Sequence, residues 1–277
     1  MTNLPTRLLA ALALIAGLAA VPGSALAGQS YDNCTGFIDS LPATISTQGV
    51  WCLDKNLGTA ITSGNAITIA TNNVTIDCND FKIGGLAAGD ASQANGIHAS
   101  DRQNATVRHC NVRGFRVGIR LLDGAGHLVE DNLLDNNLEN GIHVTGDNNL
   151  VQRNRVYDTG GNFSAVYGIN VTADVIDNTV AGVFAATSAR GIFVRGASTV
   201  RNNRVRGLQG NGSVRGIMAY SSGSRVEGNH LAVPTGTDGT GITGHFTGNG
   251  TACSNNVIAG FGTATDDCVD AGGNTSL

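Results

Sequence analysis

The chain is poor in aromatic residues, in charge and in proline. Aromatics make up 5% of its 277 residues, with one Trp. So few rings weaken any expectation of a sugar site built mainly on stacking. Charged residues are 14%, and the acids outnumber the bases, 21 against 17. A net acidic chain argues against a nucleic-acid partner. The 4 Pro form no Pro-rich linker, and no charged linker interrupts the chain, so one domain is expected. Helical periodicity is absent beyond the N-terminus. Only Leu8 to Val21 forms a long apolar run, and it is too short for a stable bilayer anchor.

That run follows Arg7 and precedes Ala25-Leu26-Ala27, the layout of a secretory signal peptide over residues 1–27. The expected mature protein is exported, periplasmic or secreted, from a bacterium, with no transmembrane segment left. The 6 Cys suit an oxidising compartment. Sequence proximity favours Cys34–Cys52, Cys78–Cys110 and Cys253–Cys268 among the possible connectivities. Stacked core thiols at Cys78 and Cys110 are the alternative for the middle pair.

What is abundant is repetition. Gly-Ile recurs at Gly96, Gly118, Gly141, Gly168, Gly191, Gly216 and Gly241, at intervals of 22, 23, 27, 23, 25 and 25 residues. A second series follows, apolar-x-x-Asn-x-apolar, with Asn132, Asn154, Asn178, Asn203, Asn229 and Asn256; Cys110 fills the same slot one repeat earlier. Such a period marks stacked units, none of which buries its own apolar face alone. Within each unit the residues alternate, as in Ile142-His143-Val144 and Ile169-Asn170-Val171. Period two means strand. Short strands that return at this interval must pair in parallel with their successors. The 39 Gly suit a coil with many corners.

The expected fold is therefore all-β: a single-stranded parallel β-helix, a solenoid of roughly nine coils with capped ends. At about 4.8 Å per coil it would be a rod about 40 Å long. Residues 28–62 lack the repeat and are expected to form an N-terminal cap and entry coil. The repeats span 63–261, and 262–277 form a C-terminal cap or tail. The recurrent Asn is expected to form a structural ladder, since Asn tolerates left-handed φ and its amide can bond the coils above and below. Charges just before it, His109, Asp131, Arg153 and Asp177, with Arg108, Glu130 and Gln152, are expected to pair between coils and hold register.

The segment Asn73-Val-Thr-Ile-Asp-Cys-Asn-Asp-Phe-Lys-Ile-Gly-Gly85, followed by Asn-Gly-Ile…Val-x-x-Asn-x-Val repeats, resembles the right-handed parallel β-helix proteins of the pectin-lyase-like superfamily. Leu41-Pro-Ala-Thr-Ile-Ser-Thr-Gln-Gly-Val-Trp-Cys52 looks like the entry segment of exported bacterial members. The resemblance covers about residues 34–260 and implies the fold. It does not imply one activity, since the superfamily includes lyases, hydrolases, epimerases and members without known activity. The paired Asp of polygalacturonase-like hydrolases is missing from mid-helix, as are the Asp-Pro-His of alginate epimerases and the Arg-x-Pro-x-x-Arg of pectate lyases.

With Ile inward, the next residue faces out. That column reads His98, Arg120, His143, Asn170, Phe193, Met218 and Thr243. Two residues on, it reads Ser100, Leu122, Thr145, Thr172, Arg195, Tyr220 and His245. In related enzymes this strand face carries the substrate groove. His98, Arg120 and His143, with Asp123 and Asp147 in the following turns, are the candidate catalytic set. Arg pairs with a sugar carboxylate, His or Arg takes a proton beside it, and Asp serves as acid. Asn170, Arg195, Tyr220 and His245 are candidate substrate contacts. The plain alternative is a solvated surface with turn aspartates bonded locally. No metal site is expected; Ca²⁺ at Asp266, Asp267 and Asp270 is a weak option. Three readings stand: an exported polysaccharide-binding protein, a polysaccharide lyase or hydrolase for an acidic glycan, and a structural or adhesive surface protein. Whether the chain is an enzyme, and its oligomeric state, stay open at this point.

Overall fold

Three β-branched or Leu positions per repeat dictate three strands per coil. A computed structural model describes residues 31–245 and 250–277; the expected signal peptide lies outside the described residues. The chain winds as a right-handed parallel β-solenoid of about nine turns. The valine strands, such as Leu128–Glu130 and Leu150–Gln152, form an 11-stranded sheet. The Gly-Ile strands and the strands after the Asn corner join in an 18-stranded sheet, because some strands, such as His230–Thr243, run through the bend between them.

Register is one repeat per coil. Ile97, Ile119, Ile142, Ile169, Ile192, Ile217 and Ile242 pair in succession. Val107, Val129, Val151, Val175, Val200 and Val226 do the same in the valine sheet. Val112, Leu134, Val156, Val180, Val205 and Leu231 complete the third wall. All these side chains are buried and form one continuous core. Each contributes roughly 1.5–3 kcal/mol when fully buried.

The Asn corner is a hydrogen-bonded column along the axis. The backbone N–H of Asn132 donates to Asn154 Oδ1 at 3.1 Å, that of Asn154 to Asn178 Oδ1 at 2.9 Å, and that of Asn178 to Asn203 Oδ1 at 2.9 Å. Each Nδ2 donates back to a valine carbonyl: Asn132 to Val107, Asn154 to Val129, Asn178 to Val151, all at 2.8–2.9 Å. The column continues through Asn229 and Asn256 to Asn274. No buried amide atom in it is left over, which is what burial demands. The expectation of left-handed φ is corrected in one respect. The residue before each ladder Asn takes it, with Asp131 at φ 54, Arg153 at 53, Asp177 at 58 and Asn202 at 57.

Those corner residues carry the charges. Arg153 reaches Asp131 at 2.8 Å and Glu130 at 2.5 Å, and Arg108 and His109 both meet Asp77, at 2.8 and 3.2 Å. The Arg153 guanidinium, bonded to Asp131, holds that carboxyl below its usual range. The disulfides are Cys34–Cys52, Cys78–Cys110 and Cys253–Cys268. The middle one replaces an Asn rung, and Cys110 N–H still donates to Asn132 Oδ1 at 2.9 Å.

Stacking extends into the segments read as caps. Ala43–Ile45 pairs with Ile67–Ile69, Gly49–Cys52 with Val74–Asp77, and Leu57–Gly58 with Ile83–Gly84. At the other end Cys268–Asp270 pairs with Thr251–Cys253. The first of these coils carries neither Gly-Ile nor the ladder Asn, so its membership leaves no periodic mark.

Candidate functional site: the outer face of the Gly-Ile sheet

The Gly of each Gly-Ile pair faces the interior along with the Ile. A Cβ at Gly141 would lie 2.4 Å from Val156 Cγ1 and 2.7 Å from Gly168 O; at Gly168 it would lie 2.4 Å from Val180 Cγ1, and at Gly191 2.4 Å from Val205 Cγ1. These glycines do not have positive φ; close approach, not a turn, requires them. Two inward residues in a row break strict alternation. The residue before Gly therefore faces out as well, and it brings Asn95, Asn140, Tyr167 and Arg190 onto the same face as His98, His143, Asn170 and Phe193.

Successive coils stack these side chains in register. Arg120 pairs with His98 on one side and His143 on the other, and His143 pairs with Asn170. A cleft of about 330 Å³ opens here. Four expected residues line it, Arg120, His143, Asn170 and Arg195, joined by Arg116, Glu139, Asn140 and Tyr167. Asn170 is the hub. Its Oδ1 accepts from Arg195 Nη1 at 2.8 Å, and its Nδ2 donates to Asn140 Oδ1 at 3.2 Å. Arg195 also lies over the Phe193 ring, 4.5 Å from its centroid. Arg116 and Glu139 form an ion pair at 2.5 Å. Among the described residues, no carboxylate lies within ion-pair distance of Arg120 or Arg195.

The electrostatics follow. Burial, then Arg120, then Arg195, lower the His143 pKa from 6.5 to about 4, against an opposing pull from Asp123. His143 is thus a neutral imidazole flanked by two cations at ordinary pH. His98 is lowered too, by burial first and Arg120 second, while its Nδ1 sits 3.2 Å from the Arg120 carbonyl.

The remaining expected residues lie around the cleft rather than in it. Asp123 is exposed in a left-handed turn at φ 49, its carboxylate accepting from the Thr145 hydroxyl at 3.3 Å. Asp147 is not beside His143; it lines a separate cleft of about 410 Å³ at the next corner, with Asn149 and Asp174. Tyr220 and His245 continue an aromatic stripe toward the C-terminus. Ring centroids run Tyr167–Phe193 5.8 Å, Phe193–Tyr220 6.1 Å and Tyr220–His245 6.3 Å. Sequence reasoning missed Arg116, Glu139, Asn140 and Tyr167. For Asn140 and Tyr167 the available signal was that the position before Gly-Ile is polar or aromatic in most repeats; Arg116 and Glu139 lie one residue earlier still. Among the described residues no group of three or more His, Cys, Asp or Glu side chains is placed to hold a metal ion. Asp270, from the C-terminal acidic cluster, accepts from Gly272 N–H and from Asn274 Nδ2.

Comparison with known proteins gives a family-model match over residues 53–229, described as a right handed beta helix region. No curated protein matches the chain in sequence. Among solved structures, the Dettilon tailspike protein aligns with a TM-score of 0.52 at 17% identity, over 86% of this chain and 58% of the tailspike. The A-module of mannuronan C-5 epimerase AlgE4 from Azotobacter vinelandii aligns at 0.47 and 11%, over 84% of this chain and 76% of that one. DFA-IIIase from Arthrobacter chlorophenolicus A6 aligns at 0.43 and 13%, over 84% and 74%. At these identities the likeness is one of fold.

Proposed function

Since the chain belongs to the right-handed β-helix family, we propose that it is an extracytoplasmic protein that binds an acidic polysaccharide on the outer face of its Gly-Ile sheet. One observation carries this reading: Arg120 and Arg195 line the same cleft with no carboxylate partner among the described residues, in a chain of net charge −4. Two guanidiniums that form no ion pair among the described residues, in a polar cleft, suit a uronate carboxylate, which Arg can hold through two parallel bonds. Asn140, Asn170 and His143 offer donors and acceptors for sugar hydroxyls. Arg195 is held by Phe193 and Asn170 before any ligand arrives, so little ordering entropy is lost on binding. Three disulfides suit an oxidising compartment. Among the described residues no helix is long and apolar enough to cross a membrane.

A lyase is the second reading, and the neutral His143 between two arginines favours it. The arginines would neutralise a uronate carboxylate, and the imidazole would accept the adjacent carbon-bound proton while the glycosidic C–O bond at the next carbon breaks, a double bond forms and the leaving oxygen takes a proton from water. A pKa of about 4 makes that imidazole a weak base, so binding without turnover is preferred. Hydrolysis by the usual route uses two carboxyl groups flanking the scissile bond. The cleft lining offers only Glu139, and Arg116 holds it.

The test is calorimetry with oligogalacturonate and with an uncharged oligosaccharide of equal length, alongside ultraviolet detection of unsaturated uronates. Binding of the acidic ligand alone, weakened about tenfold or more in Arg120→Ala, is the expected result. Equal binding of the neutral ligand, or no loss in Arg120→Ala, would sink it. Steady product formation that His143→Ala abolishes would establish the lyase instead.

A further inference from the structure

The cleft and the aromatic stripe are continuous. The coil of Phe193 and Arg195 pairs with that of Asn170 below and that of Met218 above. On the coils before Arg120 the same columns carry Thr68, Asn65, Asn95, His98 and Ser100, with no Phe, Tyr or Trp. Above the cleft they carry Phe193, Met218, Tyr220 and His245. Phe193 and Met218 are buried, each 7% exposed, whereas Tyr220 is 47% exposed. Tyr220 stands roughly perpendicular to Phe193 at 69° and to His245 at 75°. It is the next residue in the Arg195 column, one coil higher.

We propose that Tyr220 is a sugar-stacking subsite adjacent to the Arg195 anion site, and that the ligand is an oligomeric acidic glycan running from the arginine cleft toward the C-terminal coils. The proposal rests on the acidic-glycan reading above. A pyranose has an apolar C–H face and polar edges. An exposed ring packed against two others offers a matching flat surface at low conformational cost. Coils rise about 4.8 Å each, so a sugar ring over Tyr220 follows directly on one whose carboxylate meets Arg195. Direction comes from the asymmetry of the face, since among the described residues the run of neighbouring rings extends from the cleft toward the C-terminal coils. The arginine groups on that upper half are already engaged: Arg190 bonds the Tyr167 hydroxyl and lies over the Tyr167 and Phe193 rings, and Arg215 bonds Ser213.

The experiment measures Kd for tri- and hexagalacturonate with the full chain and with Tyr220→Ala, Tyr220→Phe and Arg120→Ala. Expected for Tyr220→Ala is about a tenfold loss for the hexasaccharide and under twofold for the trisaccharide. Tyr220→Phe keeps the ring and should retain hexasaccharide affinity. Arg120→Ala should weaken both ligands. An unchanged hexasaccharide affinity in Tyr220→Ala, or an equal loss for both lengths, would overturn the subsite while leaving the cleft standing. Failure of the unaltered chain to bind either oligomer would instead remove the acidic-glycan reading itself. Circular dichroism at matched concentration checks that each variant is folded.

Discussion

The Asn corner and the outer Gly-Ile face repeat on the same coils yet obey different rules. At the corner the residue itself repeats, because each Asn amide completes the hydrogen bonds of its neighbours. On the outer face only the geometry repeats. The column from His98 to Thr243 changes chemistry at nearly every level. Buried polar atoms must be satisfied coil by coil. Outward side chains do bond across coils in places, as Arg195 does with Asn170, but no one residue type is required at every level, so the face can answer to a ligand.

The contrast breaks first at the corner. Asn178→Ala strips partners from Val151 O and from Asn154 N–H and leaves a void, so chemical denaturation should register a loss of about 3 kcal/mol. A loss under about 1 kcal/mol, the scale of one net hydrogen bond, would mean that the ladder is incidental. Next comes the interior side of the face. Gly141→Ala places a methyl 2.7 Å from Gly168 O, a backbone atom that cannot swing away; about 2 kcal/mol should be lost. Full stability in that variant would refute the inward orientation of Gly, and with it the second outward column.

A pH experiment sharpens the comparison further. His127 occupies the second corner, where Ala105 N–H donates to its Nδ1 at 3.2 Å and its Nε2 is buried without a bond. Burial lowers its pKa, and His143 is lowered to about 4. Both histidines bind protons more readily in the unfolded chain, so their contribution is complete above about pH 6.5. It drains away as pH falls through their depressed folded values. His127→Asn, which resembles the neighbouring rung Asn149, should flatten that acid slope. An unchanged slope between pH 6.5 and 4 would place the sensitivity elsewhere. Smallest of all is the surface term: Arg120→Ala should shift stability by less than about 0.5 kcal/mol while weakening acidic-glycan binding. A large stability loss there would make Arg120 a structural residue.

Much of the fold was legible before any coordinates. Gly-Ile and Asn recur because one coil must sit on the next, and a recurring constraint leaves a recurring letter. The disulfide partners were legible too, since each pair bridges adjacent coils or an end. An entry coil was expected within 28–62, but its strand at Ala43–Ile45 was not located, for it stacks through ordinary residues that leave no repeat. The cleft was legible in part. His98, Arg120, His143, Asn170 and Arg195 fall on the face that alternation assigns them. Asp147, expected in the turn beside that face, lines the separate cleft at the next corner. Asn140 and Tyr167 were hidden by the inward Gly, a local break in alternation that sequence spacing does not announce.

The order of residues alone determined that the chain stacks, and which residue lies over which. A fixed rise between parallel strands converts sequence period directly into vertical registry. Only the tertiary structure decided which outward groups are tied to a neighbour and which lack an ion-pair partner. Ion pairs such as Arg116–Glu139 and tethers such as Arg195–Asn170 join residues a full coil apart. Whether a side chain leans toward its neighbour or stays open depends on local tilt and packing, which no spacing encodes.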